Sequence, residues 1–175
     1  MATRESFVER QPYAASVVPP TILVMDETWI LIDPNTGLHV AWYFWLRVLD
    51  EVNRSVRYGA PFALLLLEPE SESGPASAPL IEAAGRVPGA VRSTDLAGIV
   101  GWVRVAVILT EQDVAAADSA RQRILERLEQ TSPEGIRWNA RLLCYPEDGA
   151  EISNLLTTGR KTRSSSAASE MERLA

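Results

Sequence analysis

The run Phe62-Ala-Leu-Leu-Leu-Leu67, set between Pro61 and Pro69, constrains this chain more than any other feature. It is too short for a helix, and it carries no polar residue that a solvent-facing side could use. It therefore reads as a central strand buried on both faces. Such a strand needs cover on each side of its sheet, and helices are the cheapest cover. The neighbouring segments supply them. After the turn cluster Asp33-Pro34-Asn35-Thr36-Gly37, the chain reaches Tyr58-Gly59 with no internal proline or glycine, so the spacing predicts a long helix.

The remaining pattern alternates strands with helices. Ile22–Met25 and Trp29–Ile32 read as a hairpin around Asp26-Glu27-Thr28. Residues 68–77 read as a solvated loop rich in Glu, Ser, Pro and Gly, and Leu80–Val87 as a short helix stopped by Pro88-Gly89. Leu96–Val100 and Arg104–Leu109 read as two strands joined by a tight turn at Gly101-Trp102-Val103. Thr110 reads as the cap of a helix reaching about Gln130, with Val114, Ala117, Ile124, Leu125 and Leu128 on one face. Ile136, Trp138, Ala140, Leu142 and Cys144 alternate with Arg137, Asn139 and Arg141, a strand with one face buried. A last helix follows Gly149. The expected fold is α/β (α+β): a mixed central sheet of about five strands flanked by helices, with an extra N-terminal β-hairpin. Residues 1–20 read as a flexible leader, 21–158 as the domain and 159–175 as a disordered tail.

Composition narrows the function by exclusion. A net charge of −6 argues against nucleic-acid coating, which needs a basic stripe. One cysteine and one histidine leave no disulfide and no zinc constellation, so neither a metal nor another cofactor is expected. The N-terminus is charged where a secretory signal would be apolar, and no apolar run is long enough to insert in a membrane, so a cytoplasmic location is expected.

Several motifs stand in a fixed order: Asp33-Pro-Asn-Thr36-Gly37-Leu38, Tyr43-Phe44, Arg57-Tyr58-Gly59-Ala60-Pro61, Arg92-Ser-Thr-Asp95 separated from Gly101 by five residues, and Tyr145-Pro-Glu-Asp148-Gly149. Together, over roughly residues 33–158, they resemble the GGDEF domain, the fold of bacterial diguanylate cyclases. The resemblance implies a nucleotide-cyclase-like fold and a role in cyclic di-GMP signalling. It also implies where chemistry would sit. The signature itself reads Gly101-Trp102-Val103-Arg104-Val105, with Arg104 at the position of a metal-binding acid and Trp102 at that of a glycine. Glu68 and Glu70 stand at a conserved acidic pair, the following guanine-reading stretch is shortened, and Val40-Ala41 replace Asn-Arg. On these departures the expectation is no catalytic residue, no metal site and no enzyme activity.

What the resemblance leaves is Arg92-x-x-Asp95, the family's inhibitory site for cyclic di-GMP, where the resemblance implies that the arginine grips a guanine and the acid takes its N–H edge, with Arg123 at the place of a helping arginine. A guanidinium fork suits O6 and N7 of guanine. The same residues also fit a plainer role, as a charged approach to a strand and a solvated helix face. The rival function is a protein-interaction scaffold or dimerisation module. Trp42, Tyr43, Phe44, Trp45 and Leu46 occupy successive positions and so cover every side of a helix. Trp42, Trp45 and Leu46, together with Trp102 at the hairpin tip, are the candidate interface for a protein partner or second copy, unless the N-terminal hairpin covers that helix face. His39 reads as a polar helix terminus and Cys144 as an inert core thiol.

Overall fold

The computed structural model describes residues 31–71 and 77–158. The leader, nearly all of the N-terminal hairpin and the C-terminal tail expected from the sequence lie outside the described residues. Of the hairpin only Leu31 and Ile32 are described, and Ile32 forms an isolated antiparallel bridge with His39.

Strand β1 (Phe62–Ser71) is central, as its apolar run requires. It pairs antiparallel with β3 (Val105–Thr110) on one side and β4 (Ile136–Tyr145) on the other. Strand β2 (Leu96–Ile99) closes the order β2-β3-β1-β4. The sheet thus has four strands among the described residues, not about five. All its strand pairings are antiparallel, and its parallel element is the isolated bridge between His39 and Gly98.

The period of two sorts β1 between two cores. Ala63, Leu65 and Leu67 join Val105, Val107, Leu109 and Cys144 on one face; Phe62 and Leu64 join Ala106, Ile108 and Leu143 on the other. Helix α1 (Ala41–Tyr58) covers the second face through Phe44, Trp45 and Val48, assisted by Ile152 of α5 (149–158). The first face is covered by α4 (Val114–Thr131) through Ala117, Ala120, Ile124 and Leu128. The short helices α2 (Ser77–Ala84) and α3 (Val87–Ala90) add Ala84 and Val87 there. This is the helix-on-both-faces arrangement that a doubly buried central strand demands.

Four local expectations are corrected. Glu68, Pro69, Glu70 and Ser71 are not loop but strand, paired with Asn139, Trp138, Arg137 and Ile136. Pairing with β3 stops at Leu67, so β1 is an edge beyond that point and tolerates the N–H that Pro69 lacks. Pro88 does not stop a helix; it sits in the first turn of α3, where no N–H is needed. Thr110 ends β3, and the cap of α4 is Asp113, whose carboxylate accepts from the Ala116 N–H at 2.8 Å. Val114, assigned to the buried face, is 51% exposed because it precedes the turn that reaches the sheet.

The motifs of the sequence are turns with satisfied backbones. Asp33 Oδ1 accepts from the N–H of Asn35 and Thr36 and from the Thr36 hydroxyl, while Gly37 takes a φ of +68°. That turn delivers Leu38 to the core, 1% exposed. At the other end, Asp148 Oδ2 accepts from the Cys144 N–H at 2.8 Å, tying β4 to the start of α5.

Candidate functional site

Two concave regions flank the sheet, one at the β2 approach and one at the other end of β1. The first is built by the turn before β2, the end of β3 and the first half of α4. Asp95 shapes that turn: its Oδ2 accepts from the Arg92 backbone N–H at 3.0 Å, and its own N–H donates to the Arg92 carbonyl. The Arg92 side chain is left exposed. On α4, the buried Ala120 and Ile124 fix the helix face and so turn Arg123 outward. Arg92 and Arg123, distant in sequence, thereby line one cavity of about 550 Å³, with Thr94, Thr110, Gln112 and Ser119 among its walls. Neither guanidinium makes an ion pair with a described residue.

The acceptors of this region are unusual. Asp95 Oδ1 is buried and accepts no hydrogen bond. Gln112 is 7% exposed, lines the cavity, and its Oε1 is likewise buried without a donor. The preceding residue, Glu111, holds a φ of +55° and pairs with Arg54 of α1 at 2.9 Å. A non-glycine residue rarely takes this conformation. Of the three residues that the sequence groups as one site, Arg92 and Arg123 line this cavity and Asp95 does not; Gln112 lines it too, and no motif or periodicity singles it out.

The second region, a groove of about 600 Å³, has Trp45, Leu66, Val100 and Leu155 for apolar walls and Glu68, Arg104 and Arg141 among its charges. The Arg104 guanidinium donates to both carboxylate oxygens of Glu68 at 3.1 Å. Arg141 makes a comparable pair with Glu151, at 2.6 Å, linking β4 to α5. The metal ions that the family uses call for converging oxygen ligands. Here both Glu68 oxygens are engaged by a fixed cation, and no three His, Cys, Asp or Glu side chains converge among the described residues. This pair does not fit a divalent cation.

The remaining candidates separate by burial. Trp45 was grouped with a possible interface, but it is 6% exposed and packs edge-on to Phe44 in the core, because its turn of α1 faces the sheet. Trp42 and Leu46 are partly exposed, and Trp102 is 61% exposed at the turn between β2 and β3. His39 stitches the chain to β2, accepting from the Ile99 N–H and donating its own N–H to Ala97. Burial depresses the pKa of its imidazole below the usual histidine value, against a backbone hydrogen bond that raises it. Burial pushes the Cys144 thiol up, as do the carboxylates of Asp148 and Glu147. A raised pKa keeps the thiol protonated and unreactive.

The sheet order and the two covered faces define a GGDEF-like fold. The chain is similar to the diguanylate cyclase SiaD of Pseudomonas aeruginosa, solved in complex with its activator SiaC, at 19% identity and a TM-score of 0.61. That match covers 80% of this chain and 61% of SiaD. It is similar also to the coiled coil and GGDEF domain of DgcB from Caulobacter crescentus, solved with c-di-GMP, at 12% identity and a TM-score of 0.64, covering 79% and 81% of the two chains. A sensory box/GGDEF family protein from Caulobacter crescentus CB15 matches at 19% identity and a TM-score of 0.58, over 75% of this chain and 99% of the other. No protein-family model and no curated protein matches the sequence.

These likenesses correct one expectation. The departures at Gly101–Val105, at Val40-Ala41 and in the shortened stretch after Glu70 gave the expectation of no enzyme activity, yet SiaD, to which the chain is similar in fold, is a diguanylate cyclase, and nothing in the fold shows a loss of that activity. Among the described residues, no helix is long and apolar enough to cross a membrane.

Proposed function

We propose that this chain binds cyclic di-GMP, with Arg92 and Arg123 gripping a guanine or phosphate and Asp95 closing the turn that presents Arg92. The observation that carries this reading is the shared cavity: two exposed arginines from separate elements, neither in an ion pair among the described residues, line one space of about 550 Å³. A planar guanidinium can donate two parallel bonds to O6 and N7 of guanine, and either arginine can instead take a phosphate oxygen. The presence of c-di-GMP in the DgcB structure supports the choice of ligand.

Calorimetric titration of cyclic di-GMP into the chain tests this. Micromolar binding is expected, abolished by Arg92→Ala and weakened by Arg123→Ala. Absence of binding at about 100 μM ligand, corresponding to less than roughly 5.5 kcal/mol of affinity, would overturn it.

Trp102 favours a second reading, a protein-docking role, because a tryptophan exposed at a turn offers a large apolar anchor. SiaD is solved with a protein activator, which supports that reading for this fold. Light scattering and a Trp102→Ala variant address it: self-association that the variant abolishes supports docking onto a second copy.

A further inference from the structure

Strand β4 ends the sheet order, and among the described residues it pairs with β1 alone. Its outer edge has a definite phase. The Cys144 N–H donates to Asp148 Oδ2 and the Cys144 carbonyl accepts from the Asp148 N–H, so both groups point away from β1. In an antiparallel ladder that orientation recurs at every second residue. The N–H and C=O of Trp138, Ala140 and Leu142 therefore line the outer edge too. The edge is closed at its ends, by Asp148 on Cys144 and by the Pro133 carbonyl, which accepts from the Ile136 N–H. Between those ends no bond to a described residue satisfies it.

Sheet edges are ordinarily blunted by proline, bulges, brevity or charge. Strand β4 runs for 10 residues without proline or glycine, in unbroken register with β1. Charge is present, but Arg141 is neutralised by Glu151 at 2.6 Å, and Arg137 stands opposite Glu70 of β1. A second copy fits this edge in one register. Outward groups must meet outward groups, which pairs Trp138, Ala140 and Leu142 among themselves. Slid by two residues either way, the strands would set Arg137 against Arg141, or Arg141 against itself, and like charges directly opposite are destabilising. With Ala140 opposite Ala140, Arg141 faces Asn139 and Trp138 faces Leu142. That last pair extends the apolar face already packed beneath α4. We propose that β4 is the docking edge for a second copy of this chain, the two strands running antiparallel about Ala140 and continuing the sheet from one molecule into the other. A contact along one strand is smaller than the roughly 800 Å² per partner of a standard interface, so the dimer is reversible at micromolar concentration or above. The proposal stands apart from the cyclic di-GMP reading and from Trp102, which lies at the turn between β2 and β3.

Sedimentation equilibrium of the full chain over a range of concentrations tests it, with hydrogen exchange followed at the Trp138, Ala140 and Leu142 amides. A reversible dimer is expected, and these amides should exchange fast in the monomer and gain protection as the dimer forms. Ala140→Pro removes an N–H aimed at the second copy, a change that an edge strand tolerates, and should leave a folded monomer. Asn139→Arg sets like charges opposite each other in two symmetric places, while in its own chain it stands opposite Glu68. It should weaken the dimer by roughly 2- to 30-fold without lowering the melting temperature. Trp102→Ala should leave the dimer intact. A chain that stays monomeric up to about 1 mM overturns the proposal. So does a dimer that survives in folded Ala140→Pro, or one that Trp102→Ala abolishes. Protection of the three amides in the monomer also overturns it, because another segment of the same chain would then cover the edge. Should Ala140→Pro fail to fold, an undiminished dimer in folded Asn139→Arg is sufficient to overturn it.

Discussion

A side chain at Gly98 has nowhere to go: an added Cβ would lie 2.6 Å from the Cβ and ring of Phe44. Phe44 is fully buried, so it has no solvent side to retreat to, and β2 would have to move off α1. Gly98→Ala should therefore destabilise the fold by about 1–3 kcal/mol, the ordinary range for overpacking. Urea denaturation measures it directly, and an unchanged midpoint would mean that the approach of β2 to α1 is looser than described. The sequence announces Gly98 only as a glycine inside a strand, since the constraint comes from a helix more than fifty residues earlier. Asp33 is the opposite case. Its three hydrogen bonds and the positive φ of Gly37 are local, and local geometry leaves a motif that can be read. Trp45 lies between these cases: the run of large side chains from Trp42 to Leu46 shows that some must be buried, but the choice of Phe44 and Trp45 depends on how α1 is rotated against the sheet.

At the scale of elements, what the sequence reveals follows from hydrophobic period. Strand β1 was legible because burial on two faces leaves an unbroken apolar run, and the alternation along β4 held from Ile136 to Leu142, but Leu143 is buried on the opposite face from Cys144, which the one-face reading did not foresee. Element ends were less so, because they depend on partners. Glu68–Ser71 carry loop-like residues yet stay in the sheet, since β4 is long enough to pair with them. The start of α4 shows the same effect. Thr110, Gln112 and Asp113 are all polar, and β3 claims Thr110 because Phe62 stands opposite it. The cap falls to Asp113, whose carboxylate accepts from Ala116. Asp113→Ala should cost about 1 kcal/mol, read as a lowered melting temperature, while Thr110→Val should leave helix stability almost untouched. Equal losses from the two would return the cap to Thr110.

At the scale of the molecule, the cavity of Arg92, Gln112 and Arg123 sits where three elements meet: the β2 turn, the end of β3 and α4. The β2 turn and β3 are already joined by the Thr110 hydroxyl on the Thr94 carbonyl and by the β2–β3 ladder, and a ligand held there adds a link from both to α4. It binds the folded chain and not the unfolded one, because the unfolded chain cannot bring the two arginines together, so binding adds to global stability by mass action. At a hundredfold excess over its dissociation constant the gain is about 2.7 kcal/mol. For a chain of this length that is a rise in melting temperature of roughly 5–10 °C. Cyclic di-GMP should produce this rise in the wild-type protein and none in Arg92→Ala. A rise that survives Arg92→Ala would move the ligand to the groove of Trp45, Glu68 and Arg104 on the opposite face of the sheet. The Glu68–Arg104 pair would then be the one to break, and Arg104→Gln would be expected to abolish the rise that Arg92→Ala had spared.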